Sequence, residues 1–88
     1  MLEYKVELSR PAANYLSRLD KPTQKRIVTA LKQLASNPDT NLLDIKPLVG
    51  RTGQMRLRVG NYRIIYTIEN DVLIIYVIAI RPRGDVYK

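Results

Sequence analysis

Gln54-Met55-Arg56-Leu57-Arg58-Val59-Gly60-Asn61-Tyr62-Arg63-Ile64-Ile65-Tyr66 alternates polar and apolar side chains, breaks at Gly60-Asn61, and resumes as a second run rich in strand-forming residues. That pattern predicts two strands joined by a tight turn. A glycine at the first central position takes the positive φ of a type II′ turn, whose twist matches that of the strands it joins. Counting outwards from a two-residue loop pairs Val59 with Tyr62, Arg58 with Arg63, Leu57 with Ile64 and Arg56 with Ile65. Facing residues share a side of the sheet and successive residues alternate sides, so Arg56, Arg58 and Arg63 fall on one face. Like charges directly opposite one another cost stability, and Arg58 facing Arg63 has no structural benefit to offset that cost. Local rules of this kind are broken at functional sites. The expected occupant is an anion, because the forked donors of guanidinium groups match the oxygens of a phosphate.

Beyond the hairpin, Asn70-Asp71 reads as a second turn into Val72-Leu73-Ile74-Ile75-Tyr76-Val77-Ile78-Ala79-Ile80, nine residues without a charge. Strands so uniformly apolar lie inside a sheet, covered widely, which places the amino-terminal strand beside this one. Counting across Asn70-Asp71 pairs Glu69 with Val72, Thr67 with Ile74 and Ile65 with Tyr76. These residues join the arginine face, which is expected to have an apolar floor. Leu57, Ile64, Tyr66, Ile68, Leu73, Ile75 and Val77 take the opposite face, suited to burial under helices. After Ile80, Pro82 ends sheet pairing and Gly84 allows a bend, so Arg81, Arg83 and Tyr87 are expected to return towards the hairpin.

Before the hairpin, residues 38–53 mix Pro, Gly and polar residues and predict an irregular connection. Leu42, Leu43, Ile45 and Leu48 are expected to fold back onto the core, leaving Lys46 and Arg51 beside the hairpin. Further upstream, Leu2, Tyr4, Val6 and Leu8 alternate with charged residues as a strand with one buried face. Ser9 then Pro11, and Asp20 then Pro22, are two helix starts, each a capping side chain followed by a proline in the first turn. The second helix carries the apolar stripe Ile27, Ala30, Leu31, Leu34 and Ala35 and ends near Ser36, before Asn37-Pro38. Its outer face, with Lys21, Lys25, Arg26 and Lys32, reads as solvated.

These elements predict an α+β fold: an amino-terminal strand, a two-helix hairpin, then a three-stranded antiparallel meander. Together they form one four-stranded sheet with helices on one face, over residues 1–88 as a single domain. The chain has no Cys and no His. Disulfides, thiolate sites and imidazole chemistry are thereby excluded, and no metal or cofactor is expected. No apolar run approaches the roughly 20 residues that span a bilayer, and nothing at the amino terminus resembles a signal peptide, so a cytoplasmic protein without membrane association is expected. A net charge of +7 points to a polyanionic partner. The kind of base changes along the chain: five Lys and three Arg precede residue 51, and six Arg with one Lys follow. Arginine is the residue for bidentate phosphate or base contacts.

Almost the whole chain resembles the RelE toxins of the RelE/ParE superfamily, the toxin halves of toxin–antitoxin pairs. The likeness is carried by the opening strand into Ser9-Arg10-Pro11-Ala12, the second helix with Arg26-Ile27, the Leu48 to Gly50 segment, Met55 through Tyr66, and the closing Arg83-Gly84-Asp85-Val86-Tyr87. The resemblance implies a metal-independent endoribonuclease, an mRNA interferase that enters the ribosomal A site and cuts mRNA there, halting translation. In such chemistry the ribose 2′-OH attacks its own 3′ phosphate. The resemblance also implies roles for residues: Arg63 and Arg81 neutralise the scissile phosphate, Arg56 helps to activate the nucleophile, and Tyr87 stacks on a base or assists proton transfer. Lys46, Arg51, Arg58 and Arg83 are the expected RNA-binding set. Gln54 stands where some relatives have a second Lys, and Pro82 where many have a His. The implied partners are a RelB-like antitoxin in a hetero-oligomer, the ribosome with its rRNA, and mRNA. Two other functions fit the same charge: a ParE-like inhibitor of DNA gyrase without nuclease activity, and a non-toxic nucleic-acid-binding module.

Overall fold

The two helix starts form as the sequence predicts in the computed structural model, which describes residues 3–82. A strand, β1 (Lys5–Leu8), leads into α1 (Arg10–Ser17), where the Ser9 hydroxyl accepts from Ala12 N at 3.1 Å. Asp20 caps α2 (Lys21–Ser36), its carboxylate accepting from Thr23 N at 3.2 Å and from the Thr23 hydroxyl at 2.8 Å. Those bonds stabilise the ionised form and hold the Asp20 carboxyl below its usual range. The chain continues through β2 (Asp44–Pro47), β3 (Met55–Val59), β4 (Tyr62–Glu69) and β5 (Ile74–Pro82).

The sheet runs in the order β1-β5-β4-β3-β2, with β1 parallel to β5 and the other pairs antiparallel. The amino-terminal strand thus lies beside the last, as its apolar run requires. Both helices pack on one face, where Ile27, Leu34, Leu57, Ile64, Tyr66, Ile75 and Val77 are fully buried. Each such side chain contributes about 1.5–3 kcal/mol of apolar burial. The other face is bare of helices among the described residues.

The hairpin matches the count made from its turn at every position: Val59 faces Tyr62, Arg58 faces Arg63, Leu57 faces Ile64 and Arg56 faces Ile65. Gly60 has φ +58° and Asn61 has no positive φ, the sign pattern of a type II′ turn.

The structure departs from expectation in four places. The sheet has five strands rather than four, because Asp44–Pro47, expected to be part of an irregular connection, pairs with β3 as an edge strand. Leu43 and Ile45 fold onto the core, but Leu42 stands 86% exposed and Leu48 turns to the other side of the sheet. The second turn spans Asn70 to Leu73 rather than two residues, so Glu69 faces Ile74 and Thr67 faces Tyr76. Leu73 therefore sits in the turn with φ +55° instead of on the buried face. This slip of two residues preserves parity, and Ile75 and Val77 still point inward. Finally, β5 carries a bulge. Tyr66 faces Val77 but Ile65 faces Ala79, which leaves Ile78 as an extra residue.

Candidate functional site

The bulge decides which side chains meet on the bare face. Up to Val77, the odd-numbered residues of β5 point towards the helices. After the extra residue Ile78 the parity reverses: Ile80 faces Ile64 and is buried in the core, while Arg81 faces Arg63. Without it, Arg81 would point to the helix side and Ile80 outward. Arg81 thus joins the arginines through strand register, not by a fold-back of the tail beyond Pro82.

One cross-strand row now runs Asp44, Arg58, Arg63, Arg81 over four neighbouring strands, and the next runs Lys46, Arg56, Ile65, Ala79. At about 4.8 Å between strands, the backbones of Arg58 and Arg81 are roughly 10 Å apart with Arg63 between them. Beside this row lies an open cleft of about 470 Å³, lined by Leu48, Val49, Arg51, Gln54, Arg63, Ile65, Ile78, Ala79 and Arg81. Three arginines bound one part of it, and Leu48, Ile65, Ile78 and Ala79 supply an apolar part. The floor residues differ from expectation: Ile78 and Ala79 stand here, and Ile74 and Tyr76 lie farther along the same face.

The wall of this cleft is built by two consecutive tight turns. Arg51 N donates to Leu48 O at 3.3 Å and Gln54 N donates to Arg51 O at 3.1 Å, with Gly50 at φ +79° and Gly53 at φ +80° in the third position of each. Positive φ at that position is the type II pattern that glycine supports. The turns hold Val49 out at the rim, 99% exposed.

The guanidiniums are not equivalent. Arg63 Nε is buried and has no hydrogen-bond partner among the described residues. A buried donor left unmatched costs about 1–3 kcal/mol. Arg56 is instead held by Asp44, with Nη2 at 3.1 Å from Oδ1 and only 16% of its side chain exposed. Lys46 faces Arg56 on the edge strand and is exposed. Arg83 and Tyr87 lie outside the described residues.

Three features escaped the sequence. Asp44 brings a carboxylate into the cationic rows. Its signal was the alternation Asp44-Ile45-Lys46 ahead of Pro47, a short half-buried strand. Leu48 and Val49 belong to the cleft, and Ile78 is the bulge, which leaves no mark in an apolar run.

Comparison with known proteins shows the family. Residues 6–87 match the family described as ParE toxin of type II toxin-antitoxin system, parDE. The chain belongs to the RelE/ParE superfamily of type II toxins. A protein of Escherichia coli described as a RelE-like toxin is 31% identical over 92 residues, covering 99% of this chain and 93% of that protein. Among solved structures, the RelE–RelB complex of Pyrococcus horikoshii superposes on the toxin with a TM-score of 0.81 at 26% identity, over 94% of this chain and 98% of that one. The RelB–RelE complex of Methanococcus jannaschii gives 0.73 at 27% identity, over 92% and 94%. The toxin's fold, with two helices over one face of a mixed sheet, is that of these relatives.

Proposed function

We infer that the toxin is a ribosome-dependent mRNA endonuclease that cuts in the A site and so halts translation. The observation that carries this reading is the placement of Arg63 and Arg81 directly across from each other on one side of a part-apolar cleft that both line, with Arg63 Nε lacking a partner among the described residues. A phosphate with a base attached needs both halves of such a cleft: cations for the phosphate, and an apolar wall for the flat face of the base.

In the reaction, the 2′-oxygen forms a bond to the adjacent phosphorus and the bond from phosphorus to the 5′-oxygen breaks. The 2′-OH proton leaves to a base, and a proton reaches the departing 5′-oxygen. The products are a 2′,3′-cyclic phosphate and a free 5′-OH, with no net gain or loss of atoms. Arg63 and Arg81 stabilise the extra charge on the phosphorus centre, a task for preorganised cations in a partly dry site. Arg58 and Arg51 extend the phosphate track, with Lys46 at its margin, and Arg83 is a further RNA-binding residue. Arg56, oriented by Asp44, acts near the nucleophile, and Tyr87 stacks or shuttles a proton.

The partner in the cell is a RelB-like antitoxin in a hetero-oligomer, as in the archaeal complexes that share the fold. With +7 on the toxin, an acidic antitoxin segment associates fast and shields the arginines. The work is done in the cytoplasm, on ribosomes.

The family match to ParE favours a second reading, a gyrase inhibitor that leaves RNA intact. Mapping mRNA 5′ ends after brief expression separates the two. New ends inside codons, dependent on ribosomes and absent for Arg81→Ala, support the endonuclease; intact mRNA with inhibited supercoiling overturns it.

A further inference from the structure

We propose that Ser9 is a positioning residue for the site: its hydroxyl pins the β5 bulge and thereby keeps Arg81 on the same face as Arg63. Ser9 lies where β1 ends. The parallel pairing of β1 with β5 stops at Leu8 and Val77, one residue before Ile78, so the bulge falls at the point where β5 loses its neighbour on that side.

Ser9 replaces that neighbour. Its backbone N donates to Val77 O at 2.8 Å, and its Oγ donates to Ile78 O at 2.6 Å. The same Oγ accepts from Ala12 N at 3.1 Å, so one hydroxyl serves both the bulge and the first turn of α1. A hydroxyl has one donor and two acceptor positions, which permits both bonds at once. Capping alone requires only the acceptor. The donor is committed to the carbonyl of the extra residue.

Bulges bend a strand and re-aim the side chains after it, and they concentrate beside functional sites. Here the consequence is specific: Arg81 lies three residues past Ile78, and its face depends on that extra residue staying looped out. An unpinned bulge can migrate along β5 or be absorbed, and either event moves Arg81 out of the row. Loss of the Ser9 donor is therefore felt at Arg81, on the opposite side of the sheet from α1.

The test separates capping from bulge retention. Ser9→Gly removes the donor but leaves a tolerable N-cap, whereas Ser9→Thr keeps both bonds. The first measurement is the backbone NOE pattern between Arg63 and Arg81 in the free protein, which needs no activity. Wild type and Ser9→Thr are expected to give the facing-pair pattern, and Ser9→Gly a weakened or shifted one. The second is the single-turnover cleavage rate on programmed ribosomes, which alone rests on the endonuclease reading. Ser9→Gly is expected to lose about 10- to 100-fold, the scale of a misplaced functional group, with thermal unfolding near that of wild type. In an Arg81→Ala background the same substitution should cost less than about twofold, because coupled residues are not additive.

Ser9→Gly with an unaltered Arg63–Arg81 NOE pattern overturns the proposal, as does a cleavage loss equally large with and without Arg81. A wild-type protein that shows the facing pair but leaves ribosome-bound mRNA uncut overturns the endonuclease reading instead.

Discussion

Strand β4 holds two buried polar atoms that have no hydrogen-bond partner among the described residues, and they lie on opposite faces of the sheet. Tyr66 points under the helices, where it is fully buried and its phenol is pushed up to about 12 by desolvation. Arg63 points to the bare face, at the edge of a cleft it shares with Arg51 and Arg81. Both sites cost stability in the free protein. Tyr66 is enclosed by packed side chains, whereas Arg63 opens on space that an anion can enter. On the proposed function, the same local defect is a packing compromise on one face and a binding determinant on the other.

Substitution at the two positions should therefore differ in its effect on cleavage. Arg63→Ala is expected to lower the cleavage rate by about 10²–10³-fold, the usual cost of removing one preorganised charge-stabilising group. Its thermal stability should stay near that of wild type or rise, because the like-charge pairing with Arg58 is relieved. Full activity in Arg63→Ala would erase the distinction between the faces.

On the helix side the sign follows from linkage. The Tyr66 phenol has a folded-state value of about 12 against 10.0 for the free group. Its neutral form is favoured in the folded state, so the contribution is present below pH 10 and is lost as pH rises from 10 to 12. A tenfold difference in proton affinity is worth roughly 1.4 kcal/mol, so the loss amounts to about 2–3 kcal/mol. Denaturant melts between those pH values check it, and Tyr66→Phe should remove this component. At neutral pH, Tyr66→Phe should raise stability by about 1 kcal/mol by deleting an unmatched hydroxyl, with cleavage unchanged. A loss of stability would show that the hydroxyl has an acceptor.

The smallest effect sharpens the bare face itself. Asp44→Asn frees Arg56 from its partly exposed ion pair, a bond of about 0–1 kcal/mol, and is expected to tighten binding of a short RNA by about two- to fivefold. Weaker binding would mean that Asp44 orients Arg56 more than it neutralises it.

Much of this was legible in the sequence, and the gaps have physical causes. Gly60-Asn61 fixed a turn of known length, so the hairpin register and the common face of Arg56, Arg58 and Arg63 could be counted. Ser9 and Asp20 announced two helices by their chemistry. The turn before β5 resisted counting because Leu73 takes a positive φ, a conformation costly for leucine and unmarked by composition. The bulge was invisible for a different reason. In Ile74 to Ile80 every position is apolar, so a change of parity alters no pattern. Arg81 was assigned to the site by resemblance, while its route there depended on that hidden residue. β2 was missed because four residues ending in a proline resemble a loop, and with it went the ion pair between Asp44 and Arg56.

Everything proposed for the bare face stands on Arg63 and Arg81 gripping one phosphate as a unit. The most direct measurement is the single-turnover cleavage rate on programmed ribosomes for wild type, Arg63→Ala, Arg81→Ala and the double variant. Each single substitution should lose about 100-fold or more while the protein stays folded, and the double variant should lose little beyond either single one. A single variant that cuts at the wild-type rate, or losses that multiply in full in the double variant, would contradict it.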